Sequence, residues 1–129
     1  MITSQEIAWV AGILEGEGYF HCQEPPARHS KNPQPSIRLR MTDKDVVDRV
    51  GKLFGGKVGK LAGRTTSHKD IWQVAVSGST AAGWMMTLLP FLGERRKAKV
   101  IYCLKRWKTG GPTAKQYVTR SWKRAARYV

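Results

Sequence analysis

The chain has 129 residues, with 23 Lys and Arg against 9 Asp and Glu, which gives a formal net charge of +14. That length suits one domain with a hydrophobic core, and the strong positive charge favours a polyanionic partner. No apolar run approaches the ~18 residues of a membrane-spanning helix. The N-terminus also lacks the charged start and apolar core of a signal peptide. We therefore expect no membrane span and an intracellular location, cytoplasmic or organellar, rather than secretion.

The first predicted element is a helix. Thr3 followed by Glu6 forms a capping-box start, and apolar residues then recur at helical spacing: Ile7, Val10, Ile13 and Leu14. Small residues mark the opposite side of this helix: Ala8, Ala11 and Gly12. Such a stripe predicts that another helix approaches closely, which would also make a glycine tolerable in the helix interior.

The helix is predicted to end on Glu15-Gly16-Glu17-Gly18. A carboxylate is locally unfavourable at the negative end of a helix dipole, so two of them in one turn indicate a compensating positive group. A divalent metal ion is the obvious candidate. The alternative is an exposed turn in which a glycine only caps the helix.

Alternation with period two follows and predicts a β-hairpin. Tyr19 to Glu24 forms one strand and Ser36 to Met41 the other, joined by a Pro-rich basic stretch that contains Arg28. Phe20, Cys22, Ile37, Leu39 and Met41 are predicted to face the core. The other face carries polar side chains that suit DNA bases or phosphates: His21, Gln23, Ser36, Arg38 and Arg40. A solvated strand face is the alternative interpretation.

A second helix is predicted from Asp43 to Phe54, with Thr42 as its cap and Gly55-Gly56 at its end. A second hairpin then pairs Lys57 to Leu61 with Asp70 to Ser77. Trp72, Val74 and Val76 are predicted to point inward, although Trp72 could also lie against DNA. Three polar residues of this hairpin are candidate DNA contacts: Lys60, Arg64 and Gln73.

Two helices complete the predicted domain. Ser79 or Thr80 can cap the first, which Pro90 and Gly93 end, and the second spans Glu94 to Lys108. After Glu94 the chain holds twelve Lys and Arg and no acid. We divide it into a domain over residues 1–108 and a basic extension over residues 109–129. The extension is predicted either to pack on the domain or to contact DNA. The two cysteines, Cys22 and Cys103, make no metal-ligand spacing and are predicted to be buried free thiols.

The stretch from Val10 to Gly18, Val-Ala-Gly-Ile-Leu-Glu-Gly-Glu-Gly, resembles the signature of the LAGLIDADG homing endonucleases. Val10 stands for the first Leu, Glu15 and Glu17 for the two Asp, and Gly18 closes the motif. The predicted element order also matches that family's α+β plan, α-β-β-α-β-β-α, in which an antiparallel sheet forms a saddle along DNA. The resemblance covers about Thr3 to Trp107.

The resemblance also implies roles for individual residues. Glu17 and the Gly16 carbonyl would hold Mg²⁺ or Mn²⁺ with the scissile phosphates. A basic residue shortly after the Pro-Phe-Leu turn would stand near the metal, with Arg95 the best positional match and Lys97 second. Asp43 falls where the family often has a polar residue that orders water, or it is only a helix-start acid. Arg96 and Lys99 are expected to contact phosphate, and Lys97 is a further candidate DNA contact.

One motif in the chain implies a half-enzyme. The resemblance therefore predicts a homodimeric, site-specific double-strand DNA endonuclease with a long pseudo-palindromic target. Its subunits would pair through Ala8, Ala11, Gly12 and Glu15. The alternative is a non-catalytic nucleic-acid binder on the same fold, either an intron RNA maturase or a DNA-binding regulator. A basic structural protein of a ribonucleoprotein is a more distant alternative.

Overall fold

The computed structural model describes residues 1–24, 33–61 and 69–108. Arg28, Arg64 and the extension 109–129 lie outside the described residues, so the predictions about them stay predictions. Within the described ranges four helices and four strands follow in this order: α1 Ser4–Glu17, β1 Gly18–Gln23, β2 Gln34–Met41, α2 Lys44–Phe54, β3 Gly59–Leu61, β4 Ile71–Ser77, α3 Gly78–Leu88 and α4 Glu94–Lys108. A 3₁₀ turn, Leu89–Phe91, joins α3 to α4. The predicted α+β element order is confirmed.

The strands form one antiparallel sheet in the order β1-β2-β4-β3. Its two central strands, β2 and β4, are not consecutive along the chain, since α2 and β3 lie between them. Gly18 pairs with Leu39 at one end of the β1–β2 pair, and Arg40 pairs with Gln73 between β2 and β4. The register brings the end of α1 to the same edge of the sheet as the end of β2.

The hydrophobic core lies between one face of this sheet and the helices. Alternate residues of β1 and β2 are buried while their neighbours are exposed or half-buried, as the period-two pattern predicted. The core joins all four helices to β1, β2 and β4 through these fully or almost fully buried side chains: Val10, Leu14, Phe20, Ile37, Leu39, Val47, Val50, Val74, Met85, Leu88, Val100 and Cys103.

The predicted capping box at the start of α1 is confirmed. The Glu6 amide donates to Thr3 Oγ1 at 3.1 Å, and the Thr3 amide donates to Glu6 Oε1 at 3.0 Å. These bonds lower the pKa of the Glu6 carboxyl, the backbone bond from Thr3 being the largest cause. Two reciprocal bonds therefore satisfy amides that a helix start would otherwise leave unpaired.

The caps predicted for α2 and α3 are wrong by one to three residues. Asp43, not Thr42, is the N-cap of α2, and Ser77 takes that place in α3 instead of Ser79 or Thr80. Neither side chain makes a cap hydrogen bond. Both helices start where a β-strand delivers the chain to the sheet edge, so strand pairing and not capping chemistry sets where they begin. The C-terminal prediction for α2 holds, because Gly55 adopts the left-handed conformation with φ 68°.

Cys22 and Cys103 are free and buried, as predicted. Desolvation raises the pKa of the Cys103 thiol to about 11 and also raises the pKa of Cys22. Both thiols therefore stay neutral at ordinary pH. Among the described helices, none combines the length and apolar character that a membrane span requires.

Candidate nuclease site

The acidic residue predicted to bind the metal ion lies at the exposed C-terminal end of α1. Glu17 is the last residue of that helix, and its neighbour Gly18 begins β1. Glu17, Arg40 and Asp43 line one surface cavity of about 330 Å³. Glu17 therefore meets two residues, Arg40 and Asp43, that lie more than twenty positions further along the chain. Asp43 reaches this cavity because it lies in the two-residue connection between β2 and α2.

The strand register places the predicted reading residues on one face. Residues paired across neighbouring antiparallel strands point to the same side of a sheet. His21 pairs with Ser36, and Arg40 pairs with Gln73. This face is opposite the core and carries five polar residues predicted to bind DNA besides Arg40: His21, Gln23, Ser36, Arg38 and Gln73. The predicted placement of these side chains is confirmed, and their role as DNA contacts stays a proposal.

Tyr19 belongs to the same face and was not among the predicted site residues. Its ring is 45% exposed and stacks on His21, with centroids 5.4 Å apart and an angle of 18° between the planes. The Arg38 guanidinium lies over the Tyr19 ring, 4.9 Å from its centroid. Period-two alternation puts Tyr19 beside His21 and could have indicated it. The stack therefore places the Arg38 guanidinium two residues from Glu17, because Tyr19 follows Glu17 and Gly18 in the chain.

Arg95 does not line the Glu17 cavity but lies in a second concavity, which Gly18 also lines. This concavity, about 760 Å³ in volume, lies between β1 and α4 and is also lined by Tyr19, Lys99 and Tyr102. Arg95 is exposed, and within the described residues its side chain has no hydrogen bond or ion pair. Lys97, the second candidate, is half-buried in the same helix. Of the two predicted cations, Arg95 is the one that shares a concavity with Gly18.

Arg96 does not occupy the position predicted for it, on phosphate. Its Nε donates to the Glu15 carbonyl at 2.6 Å, and its Nη1 donates to the Gly18 carbonyl at 3.0 Å. The prediction for Arg96 is therefore corrected, because the end of α1 and the start of α4 bind each other within one chain. The Glu15 carboxylate accepts from the Gly93 amide at 3.1 Å, but its side chain is 43% exposed, so its role in a subunit interface stays a prediction.

Lys60 lies on the wrong face of the sheet for the predicted role. It pairs with Trp72, whereas Gly59 pairs with Gln73, so Lys60 is one residue out of phase with the reading face. Its ammonium group is 3.2 Å from the Asp70 carboxylate and 5.9 Å from the Trp72 ring centroid. The short strand β3 offered no apolar alternation from which this facing could be predicted.

The outer face of α1 differs in one residue from the predicted stripe. Ala8 and Gly12 are exposed, and a Cβ built on Gly12 would meet nothing within 4 Å. Ala11, however, is only 2% exposed and belongs to the core of its own chain. The small residues exposed on α1 are therefore Ala8, Gly12 and Gly16, which recur every fourth residue. The assignment of Ala11 to an interface is corrected, and the pairing role of Ala8 and Gly12 stays a prediction.

The donor set in this cavity fits a hard, oxygen-seeking cation. In the part of the chain that the structure describes, no three or more His, Cys, Asp or Glu side chains group as a metal cage. Mg²⁺ is commonly held by one or two carboxylates together with substrate phosphates and waters. Glu17 and Asp43 can supply that number of carboxylates, and Gly16 adds a carbonyl oxygen in the same turn.

No family model and no curated protein matches the sequence. Solved structures do match the fold. The homing endonuclease I-CvuI, bound to its target in the presence of Ca, is 18% identical at a TM-score of 0.64 and covers 92% of this chain and 75% of its own. The archaeal intron-encoded homing endonuclease I-Vdi141I, in complex with DNA, is 9% identical at a TM-score of 0.62. That match covers 97% of this chain and 84% of I-Vdi141I.

The DNA-bound meganuclease I-SmaMI is similar as well, at 14% identity and a TM-score of 0.57. It covers 95% of this chain, which spans only 42% of I-SmaMI. These matches extend over nearly all of the chain and agree with its α+β fold and antiparallel sheet. The chain has the LAGLIDADG homing endonuclease fold.

Proposed function

We propose that the chain is a site-specific, metal-dependent DNA endonuclease that acts as a homodimer on double-stranded DNA. The observation that carries this proposal is the cavity shared by Glu17, Asp43 and Arg40 at the edge of the exposed sheet face. The cavity combines carboxylates that suit a metal with a cation that suits DNA. Two carboxylates beside a DNA-binding surface would repel phosphate unless a cation lay between them, so they favour a metal-dependent enzyme over a protein that only binds nucleic acid.

Charge and shape support DNA as the substrate. The net charge of +14 favours a polyanion, and the exposed sheet face presents Arg38 and Arg40 at the spacing of alternate strand residues. An arginine can bind guanine O6 and N7 together in the major groove. I-CvuI, I-Vdi141I and I-SmaMI were each solved with DNA. A protein that cuts DNA works where DNA is, which supports an intracellular location.

Glu17, with the Gly16 carbonyl, would hold Mg²⁺ or Mn²⁺, and the bound ion would stabilise the attacking and leaving oxygens of phosphodiester hydrolysis. I-CvuI was solved with Ca and with Mg. Asp43 can accept a hydrogen bond from the attacking water and orient it. Arg95, from the second concavity, would offer a cation to the negative charge that develops on the phosphate in the transition state.

The homodimer follows from the number of sites. One chain has one such cavity among its described residues, whereas a double-strand cut needs two. Isologous pairing through the exposed face of α1, with Ala8 and Gly12, would place two Glu17 side chains near a two-fold axis. The coverage of only 42% of I-SmaMI agrees with a half-unit. Two-fold symmetry of the protein in turn implies a pseudo-palindromic target.

The decisive test is selection of cleaved duplexes from a randomised library in Mg²⁺ and in EDTA. The cleavage rate of the Glu17→Gln variant is then measured on the selected target. Loss of the metal ligand should lower the cleavage rate by more than the 10- to 100-fold that loss of an outer-shell partner typically costs. DNA binding should persist, because repulsion from phosphate falls. Asp48→Asn on α2, outside the cavity, is the matched control for removing one acid.

Three outcomes would contradict the proposal. Cleavage in EDTA would exclude the metal role, and cleavage by Glu17→Gln at the wild-type rate would exclude the assigned acid. Selection that enriches bound duplexes but no cut ones would favour a maturase or a DNA-binding regulator. Sedimentation that shows a monomer both free and on DNA would exclude the homodimer.

A further inference from the structure

Arg96 makes the closest contact between α4 and the end of α1. Its side chain is only 17% exposed, although the preceding residue, Arg95, is exposed. Two of its guanidinium nitrogens, Nε and Nη1, donate to different carbonyls, those of Glu15 and Gly18. These residues bracket Gly16 and Glu17, so one side chain grips the chain on both sides of the proposed metal ligand.

The end of α1 needs such a partner. The last carbonyls of a helix have no intrahelical donor, and together they form the negative end of its dipole. α1 has no basic residue in its last turn. A planar guanidinium can satisfy two carbonyls at once in a fixed geometry, whereas an ammonium group has no fork. Arg96 therefore supplies the compensating positive charge from a distant element.

A second contact strengthens this grip. The Glu15 carboxylate accepts from the Gly93 amide at 3.1 Å, and its Oε2 lies 3.7 Å from Arg96 Nε. The absence of a side chain at Gly93 lets the Glu15 carboxylate come this close, since a Cβ there would lie 2.7 Å from Glu15 Oε1 and the carboxylate would have to shift. The first acid of the Glu-Gly-Glu-Gly turn is thus used to bind α4, which leaves the second acid facing the cavity with Asp43.

We propose that Arg96 is a positioning residue: it fixes the backbone of Glu15 to Gly18 and so directs the Glu17 carboxylate toward its metal ion. The inference rests on the nuclease function proposed above and deepens it. It separates two adjacent arginines, since Arg95 would act on the phosphate directly whereas Arg96 acts through Glu17. Loss of an outer-shell partner that orients a metal ligand typically costs 10- to 100-fold in metal affinity or activity.

The test compares Arg96→Met, Arg96→Lys and Lys99→Met. Met keeps the length of the stem but removes both donors, and Lys keeps the charge without the fork. Lys99 lies on the same helix, near the Tyr102 ring, so its replacement removes one positive charge without touching α1. Three quantities are measured: DNA affinity, the single-turnover cleavage rate of the preformed complex, and the Mn²⁺ affinity of that complex by electron paramagnetic resonance.

We expect Arg96→Met and Lys99→Met to weaken DNA binding to a similar extent, because each removes one charge. Only Arg96→Met should lower the cleavage rate and the Mn²⁺ affinity, each by 10- to 100-fold. Arg96→Lys should recover these quantities in part. Full recovery by Lys would overturn the proposal, since charge alone would then suffice, and so would equal cleavage rates for Arg96→Met and Lys99→Met.

Amide hydrogen exchange over residues 15–18 provides a readout independent of cleavage. The Gly18 amide donates to the Leu14 carbonyl in the folded chain, and its exchange should be faster in Arg96→Met but unchanged in Lys99→Met. Unchanged exchange in both variants would contradict the claim that Arg96 fixes the backbone of residues 15–18. A wild-type protein that never cleaves would instead overturn the nuclease function, while exchange and Mn²⁺ affinity would still decide the role of Arg96.

Discussion

Helix α1 is held in opposite ways at its two ends. At the N-terminal end, Thr3 and Glu6 exchange two hydrogen bonds across three residues. At the C-terminal end, the partner of Glu15 and Gly18 is Arg96, which lies 81 and 78 residues further along the chain. The first end depends on local sequence alone, whereas the second depends on the docking of α4. The end that carries the proposed chemistry is the one held by tertiary structure.

The largest loss of stability is expected from Gly18→Ala, at the C-terminal end of α1. Gly18 has an ordinary extended backbone, with φ −79°, so conformational strain is not the reason for glycine. A Cβ there would instead lie 2.6 Å from Leu14 Cδ2 and 2.8 Å from the Leu14 backbone. We expect the free energy of unfolding in urea to fall by about 3 kcal/mol, the upper part of the range for overpacking.

Gly12→Ala is the matched control for Gly18→Ala, since Gly12 lies in α1, the helix that ends just before Gly18, and within one chain nothing is within 4 Å of the added Cβ. It should raise the stability of the chain by about 1 kcal/mol, the usual difference between glycine and alanine inside a helix. A Gly18→Ala protein as stable as wild type would show that the turn between α1 and β1 yields easily, against the tight packing described here.

A smaller loss is expected when Glu15 is replaced, because the contact between α1 and α4 is broken without a clash. Glu15→Ala removes the acceptor of the Gly93 amide and the charge near Arg96. A hydrogen bond to a charged group contributes about 1.5 kcal/mol, and urea unfolding should show a loss of that size. Glu15→Gln keeps an acceptor and should lose less. Equal stability of both variants and wild type would reduce this contact to an ordinary exposed ion pair.

The smallest loss of stability is expected at the N-terminal end of α1. Thr3→Ala removes the acceptor of the Glu6 amide and should cost about 1 kcal/mol, as the loss of an N-cap typically does. Cleavage per bound complex should not change, since the distant end of α1 is untouched. A change in the cleavage rate would show that the two ends are coupled along the helix.

The contribution of Glu6 in this capping box to the stability of the chain should depend on pH. Because its folded-state pKa is lowered, its contribution is complete above the pKa of the unfolded carboxyl, about 4.3. It is lost as the pH falls through the lower folded-state value. Glu6→Gln should therefore be less stable than wild type at neutral pH, and the difference should shrink in acid. A difference that stays constant from pH 7 to pH 3 would contradict this assignment.

Local patterns predicted most of the fold. The capping box, the alternation in β1 and β2, and the bounds of α4 at Glu94 and Lys108 depend on neighbours in sequence and are confirmed. So is the shared polar face, because period two fixes side-chain direction once a strand exists. The meeting of Glu17 with Asp43 agrees with the resemblance to a family whose fold brings these positions together.

The errors share one physical cause, namely contacts between distant elements. Ala11 is small enough for either side of α1, and only the packing of other elements shows that it is buried. Lys60 lies in a three-residue strand, too short to show a pattern. Arg96 stands in a run of basic residues that all suit phosphate, and its partners are backbone carbonyls, which carry no sequence signal.

The distance between Arg96 and its partners also has a consequence for the order of synthesis. A ribosome makes α1 first, and all four strands are complete by Ser77, before α4 begins at Glu94. Domains generally fold as units, and the core of this one includes Val100 and Cys103 of α4. The sheet therefore cannot bury its inner face until α4 has been made, and the sheet face that would meet DNA should form together with the turn that carries Glu17. On the functions proposed here, a growing chain becomes able to bind nucleic acid and to cut it at the same stage, once its last described helix is complete.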